Sequence, residues 1–270
     1  MKLFQSVVGP SGAAEGPLLI LHGLFGSHRN WATIAKSLSE QLGRLVIAAD
    51  LRNHGQSVQM CDGRPEGAPM TWPLMAADIR GLVEEIQRPV TIIGHSLGGQ
   101  VAMQALSSGV PAERFISVDI APVPYPFVGS AQAKYIDAML EIDGAALPHR
   151  DAIERFRQSL PGTDELIVQF LFTNYADGKG HQPGFLIPLE TLKSGMTTLG
   201  TTFSQCLSNR ITAPTVFIRG GRSDYITDQN IPAIEATFPD HSIAAMPDSG
   251  HWPHYDNPTK FIRIIKEHTV

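Results

Sequence analysis

Short apolar runs without charge recur along the chain, and most are followed by a stretch whose apolar residues fall three or four apart. Runs of the first kind are "LLILH" at 18–22, "RLVIAAD" at 44–50, "PVTII" at 89–93, "FISVDIAP" at 115–122, "PTVFIRGGRSDYI" at 214–226 and "SIAAMP" at 242–247. Their length and continuous apolarity predict strands covered on both faces, as in a parallel sheet. Leu3 to Val8 suits an edge strand, followed by the turn-rich "GPSGAAEGP". Between the strands, Trp31, Ile34, Ala35, Leu38 and Leu42 mark a helix over 30–42, and "TWPLMAADIRGLVEEIQR" marks another from Thr71, with proline in its first turn. "LGGQVAMQAL" has helical spacing, as does a segment over 230–238. A closing helix follows Pro258, with Asp256 or Asn257 available as its cap. This alternation predicts an α/β domain with a mostly parallel central sheet and helices on both faces. The polar loop 51–70 is longer than packing requires, which points to function or mobility.

The alternation stops between Pro122 and Thr212. "SAQAKYIDAMLEI" and "RDAIERFRQSL" have helical spacing, and "DELIVQFLFTNY" is apolar nearly all round, so it must be covered on every side. We divide the chain into a core of residues 1–121 and 213–270 and a helical cap over 122–212, inserted above the sheet's carboxyl edge, where open α/β sheets bind ligands. Most of the cap's apolar residues form its own core; the surplus lines a pocket.

Composition narrows the partners. With 270 residues, 43% hydrophobic and 17% charged, the chain has material for a sizeable core. A net charge of −5 and a pI near 6.0 supply no basic footprint for nucleic acid or an anionic membrane. Cys61 and Cys206 lie far apart with no C-x-x-C, and read as free thiols in a reducing compartment. The N-terminal segment is too weakly apolar for a secretory leader. No run approaches the ~20 apolar residues of a membrane span, so a cytoplasmic location is expected.

One short stretch carries chemistry. "GHSLGG" at 94–99 joins the 89–93 strand to the next helix and places Ser96 in a strand-to-helix turn. Side chains at 94, 98 or 99 would collide where backbone crosses backbone, so glycines there let the serine take a strained, outward-pointing conformation. That is the nucleophile elbow, G-x-S-x-G. By itself the pentapeptide is weak evidence, and its weight depends on what stands elsewhere in the chain.

A serine hydroxyl needs an imidazole to accept its proton. His251, after the last predicted strand and behind Ser249 and Gly250, stands where such a base belongs. His254 follows, but Pro253 argues against a helical metal pair; His95 and His54 read as a strand-end packer and a turn residue. The developing oxyanion needs fixed donors: the backbone N–H of Leu97, at a helix start, and one from "HGLFG", either Leu24 or alternatively Phe25. Two aspartates qualify to orient the imidazole. Asp119 ends one strand and Asp224 follows the next-to-last, and topology does not choose between them. Asp50 and Arg52 in "DLRNHGQS" read as a structural ion pair.

With these residues in view the chain resembles the α/β-hydrolase superfamily along its whole length. "HGLFGS", "DLRNHGQS", "GHSLGG", "VDIAPV", "GGRSDY" and "GHWPH", in that order, narrow the likeness to the YbfF-type esterases and the ABHD11-like hydrolases. The resemblance implies that the acid is Asp119 and that Ser223 supports the site; Asp224 departs by matching where the wider superfamily keeps its acid. The expected activity is serine-dependent hydrolysis of carboxylic esters or thioesters (acyl-CoA-like) through an acyl-enzyme, acting on a small molecule without metal or organic cofactor. C–C bond hydrolysis, lyase chemistry and acyl transfer use the same constellation. A non-catalytic binding protein is the reading from a different class. Serine at the elbow argues against dehalogenase or epoxide-hydrolase chemistry, which needs a carboxylate there.

Overall fold

The computed structural model describes residues 1–60, 67–178 and 183–269. Through the first half the elements run β1 (Gln5–Val8), β2 (Leu18–Leu21), α1 (Ala32–Leu42), β3 (Val46–Ala49), α2 (Trp72–Ile86), β4 (Thr91–His95), α3 (Leu97–Ser107) and β5 (Arg114–Val118). Four helices and a two-stranded ribbon follow: α4 (Ala131–Asp143), α5 (His149–Ser159), α6 (Glu165–Phe172), β6 (Tyr175–Ala176), β7 (Gly184–Phe185) and α7 (Leu189–Cys206). The chain ends with β8 (Thr215–Gly220), α8 (Ile231–Thr237), β9 (His241–Met246), α9 (Pro253–Asp256) and α10 (Pro258–Glu267).

The main sheet has the order β1-β3-β2-β4-β5-β8-β9, and every pairing is parallel except that of edge strand β1 with β3. From β2 the chain goes to β3 on one side and returns through α2 to β4 on the other. The order therefore reverses between β2 and β4, which opens a crevice at their carboxyl ends. Side chains alternate between two buried layers. Leu18 and Ile20 pack with α1 and α10, whereas Leu19 and Leu21 pack with α2, α3 and the inserted helices. Both faces are covered, and this is why the strands read as unbroken apolar runs.

The helix ends follow their local chemistry. Thr71 caps α2 by accepting from the Leu74 N–H, and Asn257, rather than Asp256, caps α10 by accepting from Lys260. Asp256 instead accepts from the Gly250 N–H at 2.7 Å.

Two readings need correction. The 122–212 segment is not wholly helical, because Tyr175–Ala176 pairs antiparallel with Gly184–Phe185. A two-residue strand is too short to show an alternation. Nor do Asp50 and Arg52 pair with each other. Asp50 accepts from the His28 N–H and Nδ1 and from the Gln56 N–H at 2.6–2.9 Å. Arg52 turns away to Asp78 of α2, with Nε 2.7 Å from Oδ2. The chain has left β3 by residue 50 and reverses through Asn53, at φ 63°, so proximity in sequence does not put the two side chains on one side. Cys206 is a free, half-buried thiol; Cys61 lies outside the described residues. Among the described residues no helix is long and apolar enough to cross a membrane.

Candidate active site

The elbow has the geometry its glycines predict. Ser96 sits between β4 and α3 at φ 51° and ψ −119°, a conformation costly for a residue with a Cβ. A Cβ on Gly98 would lie 2.5 Å from the carbonyl oxygens of Leu21 and His22, and one on Gly94 would lie 2.7 Å from Gly99 Cα. These contacts are with backbone, so a side chain cannot swing aside to relieve them.

Facing the elbow is the turn after β2, closed by the Gly26 N–H bonding to the Gly23 carbonyl at 3.0 Å. A Cβ on Gly23 would come within 3.2 Å of Ser96 Cβ, so glycine lets this turn lie directly against the serine. His22 anchors it. Its Nδ1–H donates to the Gly23 carbonyl at 2.8 Å, while Nε2 accepts from the Leu51 N–H at 3.0 Å. Burial lowers the His22 pKa against the opposing pull of Asp50, so the ring is held neutral in that tautomer. Among the described residues the N–H groups of Leu24, Phe25 and Leu97 have no protein acceptor. Phe25 and Leu97 are themselves buried, which makes unpaired donors there unusual.

The structure brings His251 and Asp119 together. His251 Nδ1 donates to Asp119 Oδ2 at 2.8 Å, and the carboxylate is fully buried. Oδ1 accepts from the Gly220 N–H at 2.9 Å, and Oδ2 also accepts from the Ser223 hydroxyl. These three donors compensate a charge that would otherwise be expensive to bury. Asp119 follows β5 at φ 51°, with its N–H still paired to the Ile218 carbonyl. Asp224 is exposed and makes no contact with His251.

Three residues close to His251 had given no functional signal. Tyr225 stacks on the imidazole, with ring centroids 3.8 Å apart and planes 18° apart. Its OH accepts from Gln132 Nε2 at 2.9 Å, and its carbonyl accepts from the Tyr125 hydroxyl. His95 packs at the strand end as expected, and in addition its Nε2–H donates to the His251 carbonyl at 2.8 Å. Burial and the neighbouring His251 and His254 hold His95 well below the usual histidine range, so it donates as a neutral ring. His254 stacks on Trp31 at 4.1 Å. Tyr225 lies inside the quoted "GGRSDY", but no spacing rule distinguishes a ring that will stack on a histidine.

The serine, imidazole and carboxylate thus stand at the carboxyl ends of β4, β9 and β5, with His95, the neighbour of Ser96, 4.8 Å from the His251 ring. The Ser96 hydroxyl makes no hydrogen bond to a described residue. Among the described residues no three His, Cys, Asp or Glu side chains converge as metal ligands.

Sheet order and elbow geometry agree with a comparison at the level of sequence. The chain belongs to the alpha/beta hydrolase family, whose sequence pattern matches residues 18–264, and it is an enzyme of that family's esterase and lipase branch. It is 35% identical over 262 residues to the sn-1-specific diacylglycerol lipase ABHD11 of Danio rerio, covering 92% of this chain and 77% of that one. It is 30% identical over 262 residues to esterase YbfF of Escherichia coli K12, covering 94% and 93%. Among solved structures a marine microorganism esterase superposes with a TM-score of 0.82 at 28% identity, over 98% of both chains.

Proposed function

We propose that this enzyme hydrolyses carboxylic esters or thioesters of apolar acyl groups through an acyl-enzyme on Ser96. The Asp119–His251 hydrogen bond, formed at the sheet edge that carries the elbow serine, is the observation that carries this reading. With Nδ1–H committed to Asp119, the neutral imidazole has Nε2 free to accept the serine proton as Oγ attacks the carbonyl carbon. The oxyanion forms beside the unpaired N–H groups of Leu97 and Leu24, with Phe25 as the alternative second donor; each such donor is worth roughly 3 kcal/mol. His251 then gives its proton to the departing alkoxide or thiolate, and a water activated by the same nitrogen hydrolyses the acyl-serine. Catalytic hydrogen bonds to the nucleophile commonly tighten only with substrate bound.

An apolar acyl group fits the surroundings. Phe25 and Leu97 pack at the site, and Trp252, the neighbour of His251, contacts Phe170 of α6 at 5.9 Å. Residues 122–212 serve in this reading as a cap over the acyl group.

A fluorophosphonate probe tests the reading: the wild type should form a stoichiometric adduct and Ser96→Ala none. Turnover of a p-nitrophenyl ester ladder and an acyl-CoA ladder then separates oxygen esters from thioesters and gives the chain length. An adduct that survives Ser96→Ala would refute the assignment.

A further inference from the structure

We propose that Asn174, carried by the segment inserted between β5 and β8, is a positioning residue for the Gly23–Gly26 turn that supplies an oxyanion donor; this rests on the serine-hydrolase reading above. In that turn Phe25 is the third residue, at φ 63°, while Leu24 keeps a negative φ. This is the type II pattern, whose third position ordinarily takes glycine, and a residue with a side chain there costs about 1–2 kcal/mol. The turn that faces the elbow is therefore a strained one, and its place against Ser96 has to be held.

The peptide between Phe25 and Gly26 is clamped at both ends. Its N–H is bound to the Gly23 carbonyl at 3.0 Å, and its oxygen accepts from Asn174 Nδ2 at 2.8 Å, across 149 residues of chain. Asn174 is itself buried and anchored: its N–H donates to Leu171 at 3.2 Å and its carbonyl accepts from the Leu186 N–H at 2.7 Å. The second Nδ2 hydrogen reaches the Leu171 carbonyl at 3.3 Å, which fixes the amide plane. The inserted segment thus fixes the Phe25–Gly26 peptide, and with it the place of the turn and its N–H groups against Ser96.

The test uses the full chain, with active sites counted by fluorophosphonate labelling run to completion. Asn174→Leu keeps the volume and removes the donor. Its kcat per labelled site on p-nitrophenyl butyrate should fall about 10- to 100-fold with KM within about threefold, because an oxyanion interaction acts in the transition state and not on bound substrate. Affinity for phenylboronic acid, which forms a tetrahedral adduct, should fall by the same factor, and Asn174→Gln, which keeps an amide donor, should recover part of both losses. A residue that merely supports the fold would lower the melting temperature and leave these quantities in place. Should the leucine variant not fold, Asn174→Ala decides on the same measurements. A kcat per site within about threefold of wild type, or a loss taken wholly in KM, overturns the proposal. A wild type that neither labels nor turns over ester overturns the serine-hydrolase reading with it, whereas a labelled wild type and an undiminished variant remove only the role of Asn174.

Discussion

The places of Ser96, Leu97 and His251 in the fold could be read from the chain because each is tied to a local pattern: a glycine-flanked turn, a helix start, and a short loop after the last strand. The acid could not. Asp119 and Asp224 both follow strands that end at the same sheet edge, and their difference is one of reach. Asp119 is still held by β8 through its N–H, so its carboxylate is fixed within 2.8 Å of His251, whereas Asp224 lies in the exposed turn beyond β8. If Asp119 holds the imidazole in its working tautomer, Asp119→Asn should lower kcat about 10³- to 10⁴-fold with KM little changed. Asp224→Asn should stay within about twofold, since an exposed carboxylate without contact to the imidazole has no tautomer to enforce. Steady-state kinetics on one p-nitrophenyl ester compares the two, and equal small losses would remove both from the role.

At the scale of elements, β2, β4 and β5 were legible to within a few residues because both of their faces are buried, which writes an unbroken apolar run into the sequence. The β6–β7 ribbon was not, since its contacts are made by the fold and leave no period. The elbow shows how position reverses the effect of one substitution. Gly98→Ala drives a Cβ into the backbone oxygens of Leu21 and His22, and should destabilise by about 1–3 kcal/mol as well as displacing Ser96. Gly81→Ala, in the middle of α2 and facing open space, should stabilise by roughly 0.5–1 kcal/mol. Urea unfolding of the two variants should give opposite signs. A second element-level contact, Arg52 with Asp78, joins the turn after β3 to α2, and the same guanidinium also donates to the Pro69 and Leu74 carbonyls. Asp78→Leu leaves that cation buried without its carboxylate and should cost about 3–5 kcal/mol in the same assay. A loss below 1 kcal/mol would mean that the backbone carbonyls suffice.

Over the whole molecule, the parallel sheet gathers distant loops at one edge, and four histidines among the described residues lie buried in the fold. His22, His54, His95 and His254 all have lowered pKa values, with burial the first cause in each; His54 and His254 are lowered to about 3. In the unfolded chain each would titrate near 6.5. Above that pH neither state binds the extra proton and the histidines make no pH-dependent difference. Below it the unfolded chain takes up protons that the folded state refuses, so stability falls with pH from about 6.5 down towards the folded pKa values. Between pH 7.5 and 5.5 the loss should be about 1.4 kcal/mol for each of His54 and His254, together roughly 3 kcal/mol, with His22 and His95 adding in the same direction. Urea unfolding at the two pH values measures it. Replacing His254 by leucine should make the decline shallower by about 1.4 kcal/mol over that interval, whatever the variant's stability at pH 7.5, because only the pH-linked part belongs to the proton. A wild type equally stable at both pH values would show that these rings admit protons in the folded state, and the neutral donor assigned to His95 beside the His251 carbonyl would have to be abandoned.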